Sequence, residues 1–285
     1  MSDIQSQISC IQSQLEVAYP KDEARALAWW IIEESTGLSR SQLLCDCKST
    51  KNISNLQEII ARLLHFEPIQ YIFGHTLWNN LDLKVTPATL IPRPETAELV
   101  EKLSTFHFPL STADARVLDI GTGSGCIAIA LKKAHPEWQV TGIDISPEAI
   151  GVAKENARRN EVDIEFHVAD IFSDFIGHFD IIVSNPPYIC EREKSAMRPN
   201  VLEYEPATAL FVPDDDPLRF YHRIAELFAH TPDIVHRTPK YLFFEINEAY
   251  PEELAAMLGE LGYTDIHITK DIYGKARIID CRMVG

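Results

Sequence analysis

Isoleucine or leucine recurs at positions 4, 8, 11 and 15, a spacing that stacks these side chains on one face of a helix. The pattern returns after Pro20, where Ala24, Leu27, Ala28 and Ile31 predict a second helix stopping near Gly37. Ser39 is placed to cap a short third helix with Leu43 and Leu44. Asn52 or Ser54 is placed to open a fourth, with Leu56, Ile59, Ile60 and Leu63 facing inward. Residues 1–70 therefore read as a small helical domain whose stripes pack on one another. The period then shortens. Residues 71–77 and 81–85 flank Trp78-Asn79-Asn80 and predict a β-hairpin with an Asn-rich turn. Pro87, Pro92 and Pro94 read as breakers, so residues 71–94 are expected to form a hairpin linker.

From Arg116 apolar strands alternate with amphipathic helices. Strands are expected at 117–120, 140–145, 164–168, 179–184 and 241–246, with helices at 127–133, 147–159, 218–229 and 251–261. Ile181-Ile182-Val183 is continuously apolar, as in a strand covered on both faces. Alternation of this kind predicts an α/β fold with a doubly wound, mostly parallel sheet over residues 95–285. Two last strands, 263–269 and 276–281, are joined too tightly for a crossover helix and imply an antiparallel edge, bringing the sheet to seven strands. Residues 190–217 read as a long loop, expected to act as a lid or partner surface and to be mobile without a partner.

Composition narrows the class of partner. The 285 residues are 46% hydrophobic and 24% charged, the balance of a soluble globular chain, and no apolar run is long enough to span a bilayer. Met1-Ser2-Asp3-Ile4-Gln5 has neither the basic and apolar blocks of a secretion signal nor the arginines of a transit peptide, so a cytoplasmic protein is expected. Six scattered cysteines, of which only Cys45 and Cys47 are close, lack zinc spacing and read as reduced thiols with no metal. A formal charge of −16 argues against direct contact with nucleic acid and for a protein partner with a basic surface.

The candidate chemistry lies at the ends of the predicted strands. Asp119-Ile120-Gly121-Thr122-Gly123-Ser124-Gly125 follows the first strand of the sheet, where glycines allow a tight turn and close approach of a ligand. Cys126 stands where a dinucleotide fingerprint needs its third glycine, and no Gly-Lys-Ser/Thr of a phosphate-binding loop follows. Asp144 ends the next strand about twenty residues on, the place from which an acid holds a ribose. A ligand with a ribose, an adenine and a zwitterionic end, as in S-adenosylmethionine, fits this set. Gly121, Thr122, Gly123, Ser124 and Gly125 would hold its amino acid end and Asp144 its ribose. Asp170 is placed for the adenine amine, with Ile171 or Phe172 against the ring.

The fourth strand of the sheet ends in Asn185-Pro186-Pro187-Tyr188, where paired prolines cannot continue a ladder. An amide nitrogen is a poor nucleophile because its lone pair is delocalised into the carbonyl. The Asn185 side-chain oxygen and the Pro186 carbonyl can each accept one amide hydrogen, fixing the nitrogen and favouring the positive charge that grows on it. The Tyr188 ring can pack on the planar group.

Together, the glycine loop, the strand-ending acid and Asn-Pro-Pro-Tyr resemble class I methyltransferases acting on exocyclic amino or amide nitrogens. The closer resemblance is to the release-factor glutamine N5-methyltransferase (HemK) family. It rests on Glu67-Pro68-Ile69-Gln70-Tyr71-Ile72-Phe73-Gly74, on Leu90-Ile91-Pro92-Arg93-Pro94-Glu95-Thr96, and on residues 117–130 and 179–189. Tyr204-Glu205-Pro206 and Phe244-Glu245-Ile246 also agree. It covers nearly the whole chain. The Pro-Arg-Pro-Glu-Thr stretch discriminates most, being absent from generic amino-methyltransferases. The resemblance implies S-adenosylmethionine as cofactor. It implies as substrate the glutamine of the Gly-Gly-Gln motif in class I peptide chain release factors, with the N-terminal domain helping to hold the factor. By the family pattern Asn185 touches both cofactor and substrate, and Asn185, Pro186, Pro187 and Tyr188 surround the glutamine. The position packed on adenine is often aromatic but is Ile171 here, which leaves Ile171 and Phe172 as alternatives. Arg93 and Glu95 read either as a salt-bridged clamp or as part of the substrate site. A monomer is expected. DNA adenine-N6 methyltransferases share Asn- or Asp-Pro-Pro-Tyr and are the rival, but they need a basic surface for the duplex.

Overall fold

A computed structural model describes residues 3–45, 53–108, 114–173, 177–230 and 240–283. The chain divides into two compact units. One comprises residues 1–74 with 199–204, and the other residues 75–198 with 205–285.

The first unit holds α1 (Asp3–Leu15), α2 (Lys21–Thr36), α3 (Arg40–Cys45), α4 (Leu56–Leu64) and α5 (Ile69–Phe73). Ile4, Ile8, Ile11 and Leu15 are buried with Ala28, Ile31, Ile32, Leu43, Ile60 and Leu63, so the stripes make a core. Gly37 ends α2 in the left-handed region at φ 69°, its N–H on the Glu33 carbonyl. Of the two residues expected to open the fourth helix, Ser54 does not do so. Asn55, at φ 64°, precedes α4, while Asn52 and Cys47 lie outside the described residues. The strand expected from residue 71 is instead α5, closed by Gly74 at φ 75°. Pro68, before the helix, fixes a φ compatible with its start, and Ile69, with Ile72 and Phe73 one turn on, packs against the helical core.

The second unit opens with β1 (His75–Trp78) and β2 (Leu81–Lys84), antiparallel, with Trp78 opposite Leu81. Asn79 and Asn80 both have positive φ, 46° and 61°, the two-residue turn that matches strand twist. This hairpin is part of the second unit, not a linker. The fully buried Asn156 accepts from the Lys84 N–H at 2.7 Å and donates to the carbonyls of Lys84 and Ser124 at 2.9 and 2.8 Å. The proline cluster also hides an element. Helix α6 (Pro94–Thr105) begins on Pro94, because at the first helical position a missing N–H removes no bond. Leu99, Val100 and Leu103 are its buried stripe.

The sheet then forms from β3 (Arg116–Ile120), α7 (Cys126–Ala134), β4 (Gln139–Asp144), α8 (Pro147–Arg159), β5 (Glu165–Val168) and β6 (Ile181–Ser184). Residues 190–217, read as a loop, contain short elements: β7 (Ile189–Cys190) pairs with β8 (Phe211–Val212), and α9 (Pro199–Leu202) belongs to the first unit. Helix α10 (Arg219–His230), β9 (Lys240–Glu245), α11 (Pro251–Glu260), β10 (Thr264–Lys270) and β11 (Ala276–Met283) complete the chain. Seven strands lie in the order β10-β11-β9-β6-β3-β4-β5, and β11 alone runs against the others, so the reversed strand lies one in from the edge and the edge strand β10 is aligned with the parallel set. Val117, Ile181, Val183 and Phe243 are buried on one face with α6, α7 and α8. Leu118, Ile182, Leu242 and Phe244 are buried on the other with α10 and α11. Burial on both faces explains the continuous apolar run read in β6.

Gly142 in β4 is constrained by its neighbours. A Cβ there would sit 2.6 Å from the Phe166 ring and 2.9 Å from Thr122 Oγ1. Gly142→Ala is expected to destabilise the protein by about 1–3 kcal/mol through overpacking. The measurement is the denaturant midpoint at unchanged slope. An unmoved midpoint would mean that the ring yields freely.

Candidate active site

Strands β6, β3, β4 and β5 are neighbours, and the chain order reverses between β6 and β3. Their carboxyl ends open on a cavity of about 400 Å³. A parallel sheet binds its ligands at such a reversal.

Beyond β3, the Gly121 and Thr122 N–H groups both donate to the Ile143 carbonyl at 2.9 Å, anchoring the loop to β4. Gly121, Gly123 and Gly125 have φ of 70°, 54° and 81°, which side-chain-bearing residues rarely adopt. A Cβ on Gly121 would meet nothing within 4 Å. Asp119 braces this turn from behind. Fully buried, it accepts from the Thr122 hydroxyl at 2.6 Å and the Ala128 N–H at 3.2 Å, and burial pushes its carboxyl up to about 7.

Asp144 closes the far side of the loop. Its Oδ2 accepts from the Gly123 N–H and its Oδ1 from the Ser146 N–H, both at 2.9 Å. Burial raises its carboxyl above the ordinary value, against the pull of these bonds. Ser146, not Asp144, caps α8, accepting from the Ala149 N–H at 3.1 Å. After β5, Asp170 Oδ1 accepts from the Phe172 N–H at 2.9 Å. Ile171 is 7% exposed in the cavity wall, whereas Phe172 is 41% exposed, its ring edge-on to Phe220 and under the Arg219 guanidinium.

At the end of β6, the Ser184 hydroxyl donates to the Ile120 carbonyl at 2.7 Å, tying the Asn-Pro-Pro-Tyr turn to β3. Asn185 Nδ2 donates to Thr96 Oγ1 at 3.2 Å, and the Thr96 hydroxyl donates to Glu245 Oε2 at 2.7 Å. The Tyr188 hydroxyl donates to Glu245 Oε1 at 3.2 Å. Burial pushes the Glu245 carboxyl up to about 7, opposed by its bonds from Thr96 and Tyr188. Burial, followed by the nearby Glu245, drives the Tyr188 phenol far above its ordinary range. Arg93 Nη2 donates to Glu205 Oε1 at 2.5 Å, and the other oxygen of this buried carboxylate accepts from the Ile91 N–H at 3.2 Å.

The sequence and the fold have counterparts among known proteins. Residues 8–74 match the PrmC N-terminal domain and residues 96–203 the methyltransferase small domain. The release factor glutamine methyltransferase of Bacteroides thetaiotaomicron is 44% identical over 280 residues, covering 94% of this chain and 96% of the relative. The chain belongs to the release factor glutamine methyltransferase family. The enzyme of the same name from Flavobacterium psychrophilum is 41% identical over 268 residues, covering 92% of each chain. A solved methyltransferase from Pyrococcus furiosus superposes with a TM-score of 0.51 at 20% identity, covering 81% of this chain and 99% of that one, a likeness of fold alone.

In this family member, most residues singled out from the sequence meet in one place. Arg93, Gly121, Thr122, Gly123, Ser124, Asp144, Asp170, Ile171, Asn185, Pro186 and Pro187 all line the cavity. Gly125, Glu95 and Tyr188 are not among its lining residues. Gly125 lies behind the loop, where a Cβ would stand 3.2 Å from Ala153. Glu95 sits in the first turn of α6, and the clamp partner of Arg93 is Glu205 instead. Tyr188 reaches inward to Glu245, and Asn247 Nδ2 holds its carbonyl at 2.9 Å. Sequence reasoning gave no role to Thr96 or Glu245, nor to Arg219 and Phe220 in the wall. A signal for Thr96 existed: proline, acid and threonine directly before a helical stripe mark the start of a helix.

Proposed function

We propose that this chain transfers a methyl group from S-adenosylmethionine to the side-chain amide nitrogen of the glutamine in the Gly-Gly-Gln motif of class I peptide chain release factors. One observation carries the reading: Asn185-Pro186-Pro187 and the glycine loop with Asp144 line the same cavity. The donor set fits the cofactor. Backbone at Gly121–Ser124 suits a zwitterionic amino acid end, and the Asp144 carboxylate has lone pairs left for ribose hydroxyls. Asp170 suits the adenine amine, and Ile171 the ring face, with Phe172 at the rim. When bound, S-adenosylmethionine supplies an electrophilic sulfonium methyl.

The chain's own residues then do the positioning. The Asn185 side-chain oxygen accepts one hydrogen of the glutamine amide and the Pro186 carbonyl the other. The two oxygens hold the nitrogen in place and favour the positive charge that develops on it as it attacks. No strong base is required before attack, and the proton leaves afterwards to water. Tyr188 acts here through Glu245. Arg93, held by Glu205, borders the entrance for the substrate chain.

The helical unit is assigned to holding the release factor, and the enzyme to the cytoplasm as a monomer. Among the described residues no helix is long and apolar enough to cross a membrane. The net charge of −16 disfavours duplex DNA as substrate. The test offers labelled cofactor with release factor, with duplex DNA and with neither. Label is expected only in the release factor, with one added methyl on the Gly-Gly-Gln peptide by mass spectrometry. Label in DNA would transfer the reading to adenine methylation.

A further inference from the structure

A side-chain carboxamide is nearly symmetrical in shape, so Asn185 can turn either its oxygen or its amino group to the cavity. Only the oxygen accepts a hydrogen from a substrate amide. The surroundings of Asn185 decide between the two. The Thr96 hydroxyl has one proton, and it lies 2.7 Å from Glu245 Oε2, an atom that only accepts when the carboxyl is ionised. The other oxygen of Glu245 already accepts from Tyr188, and the Tyr221 hydroxyl donates to the Glu245 backbone carbonyl at 3.0 Å. The Thr96 proton is thereby committed to Glu245. What Thr96 shows Asn185, at 3.2 Å, is a lone pair. That lone pair demands the Asn185 amino group, and the side-chain oxygen is left for the cavity. The reversed amide would set two acceptor oxygens against each other at a threonine only 2% exposed, where no bulk water relieves the clash.

We propose that Thr96 and Glu245 are positioning residues that set the polarity of the Asn185 amide, so that its oxygen faces the reacting nitrogen. The inference rests on the methyl transfer to an amide proposed above. Three separate stretches of chain build the device: Thr96 near the start of α6, Asn185 after β6, and Glu245 at the end of β9. None of its steps requires Thr96 or Glu245 to touch substrate.

Protonation of Glu245 reverses the device, because a carboxylic acid can donate to Thr96, which can then donate to Asn185 Oδ1. Glu245 is faced by Thr96 and Glu95 from α6, by Tyr188, by Tyr221 from α10, by Cys126 from α7 and by Arg277 from β11. Burial keeps the phenols and the thiol neutral, and of the two remaining neighbours Glu95 raises and Arg277 lowers a carboxyl that burial brings to about 7. The rate is therefore expected to fall as pH drops through about 7. Asp119 has a carboxyl raised to a similar value, so substitution must assign the limb.

The experiment compares Thr96→Val, Thr96→Ser and Glu245→Gln in methylation of intact release factor, with cofactor affinity measured alongside. T96V keeps the shape but removes the hydroxyl. Its kcat is expected to fall about 10- to 100-fold, with the release-factor KM and cofactor Kd within about threefold of the unsubstituted enzyme. T96S is expected to recover the rate to within about threefold, and E245Q to abolish the acid limb. Should T96V fail to bind cofactor, the pH profile of E245Q carries the test alone. The inference is overturned by a T96V kcat equal to the unsubstituted one, by T96V and T96S falling together, or by an acid limb that survives in E245Q. An unsubstituted enzyme that methylates no release factor overturns the proposed function and this inference with it. Failure of the variants alone overturns only the inference.

Discussion

Replacing Asn185 with alanine is expected to lower the single-turnover rate of methyl transfer by about a thousandfold, with cofactor affinity changing less than about tenfold. The separation follows from what each group holds. The Asn185 amide is tied to Thr96, and the glycine loop to Ile143 and Asp144, so the loop keeps its shape when the amide is removed. The attacking nitrogen, however, loses one of the two oxygens that orient it and favour its growing charge. An interaction of this type, present in the ground state but stronger at the transition state, appears mainly in the chemical rate and little in cofactor binding. Rapid-quench kinetics with saturating cofactor give the rate, and calorimetry gives the affinity. An unchanged rate with cofactor bound would remove Asn185 from the chemistry.

The opposite signature is expected at Asp144. Asp144→Asn keeps the size of the side chain, but it removes the charge and turns one acceptor into a donor facing either the Gly123 or the Ser146 N–H. Two ribose hydroxyls would then bond a neutral acceptor in place of a charged one, each weakened by about 1–1.5 kcal/mol. Cofactor affinity is expected to weaken about 100-fold, while kcat at saturating cofactor stays within about threefold. Calorimetric titration with S-adenosylmethionine measures the first and steady-state kinetics the second. Full affinity in the variant would leave Asp144 as a brace for the glycine loop only.

These contrasts also mark how far the sequence could be read. Helix α8 was legible to the residue, because Ser146 as cap and Pro147 at the first position both announce a start within a few residues of one another. Helix α6 was not, although it too begins on a proline. Pro94 stands among Pro87 and Pro92, and a proline alone does not say whether it ends one element or opens the next. Residues 71–73 misled in the other direction: a short apolar run has no period long enough to separate a strand from one helical turn. In the site, the glycine loop and Asp144 were visible because a strand, a turn and the next strand place them within about twenty residues. The bonds from Thr96 to Asn185 and to Glu245 span 89 and 149 positions, and no local pattern encodes them. Tyr188 belongs to the same blind spot. The tetrapeptide suggested four residues facing substrate, yet the fourth turns inward to a carboxylate supplied by a strand far along the chain.

The buried Asn156 joins two parts of the molecule that differ in kind. Through one side chain it satisfies both backbone groups of Lys84 at the end of the hairpin and the carbonyl of Ser124 in the glycine loop. Detaching the hairpin strips Asn156 of its anchors and leaves it free to release the loop. Opening of the hairpin is thus expected to loosen the glycine loop, so that amides of the two exchange with solvent together, as parts of one cooperative element.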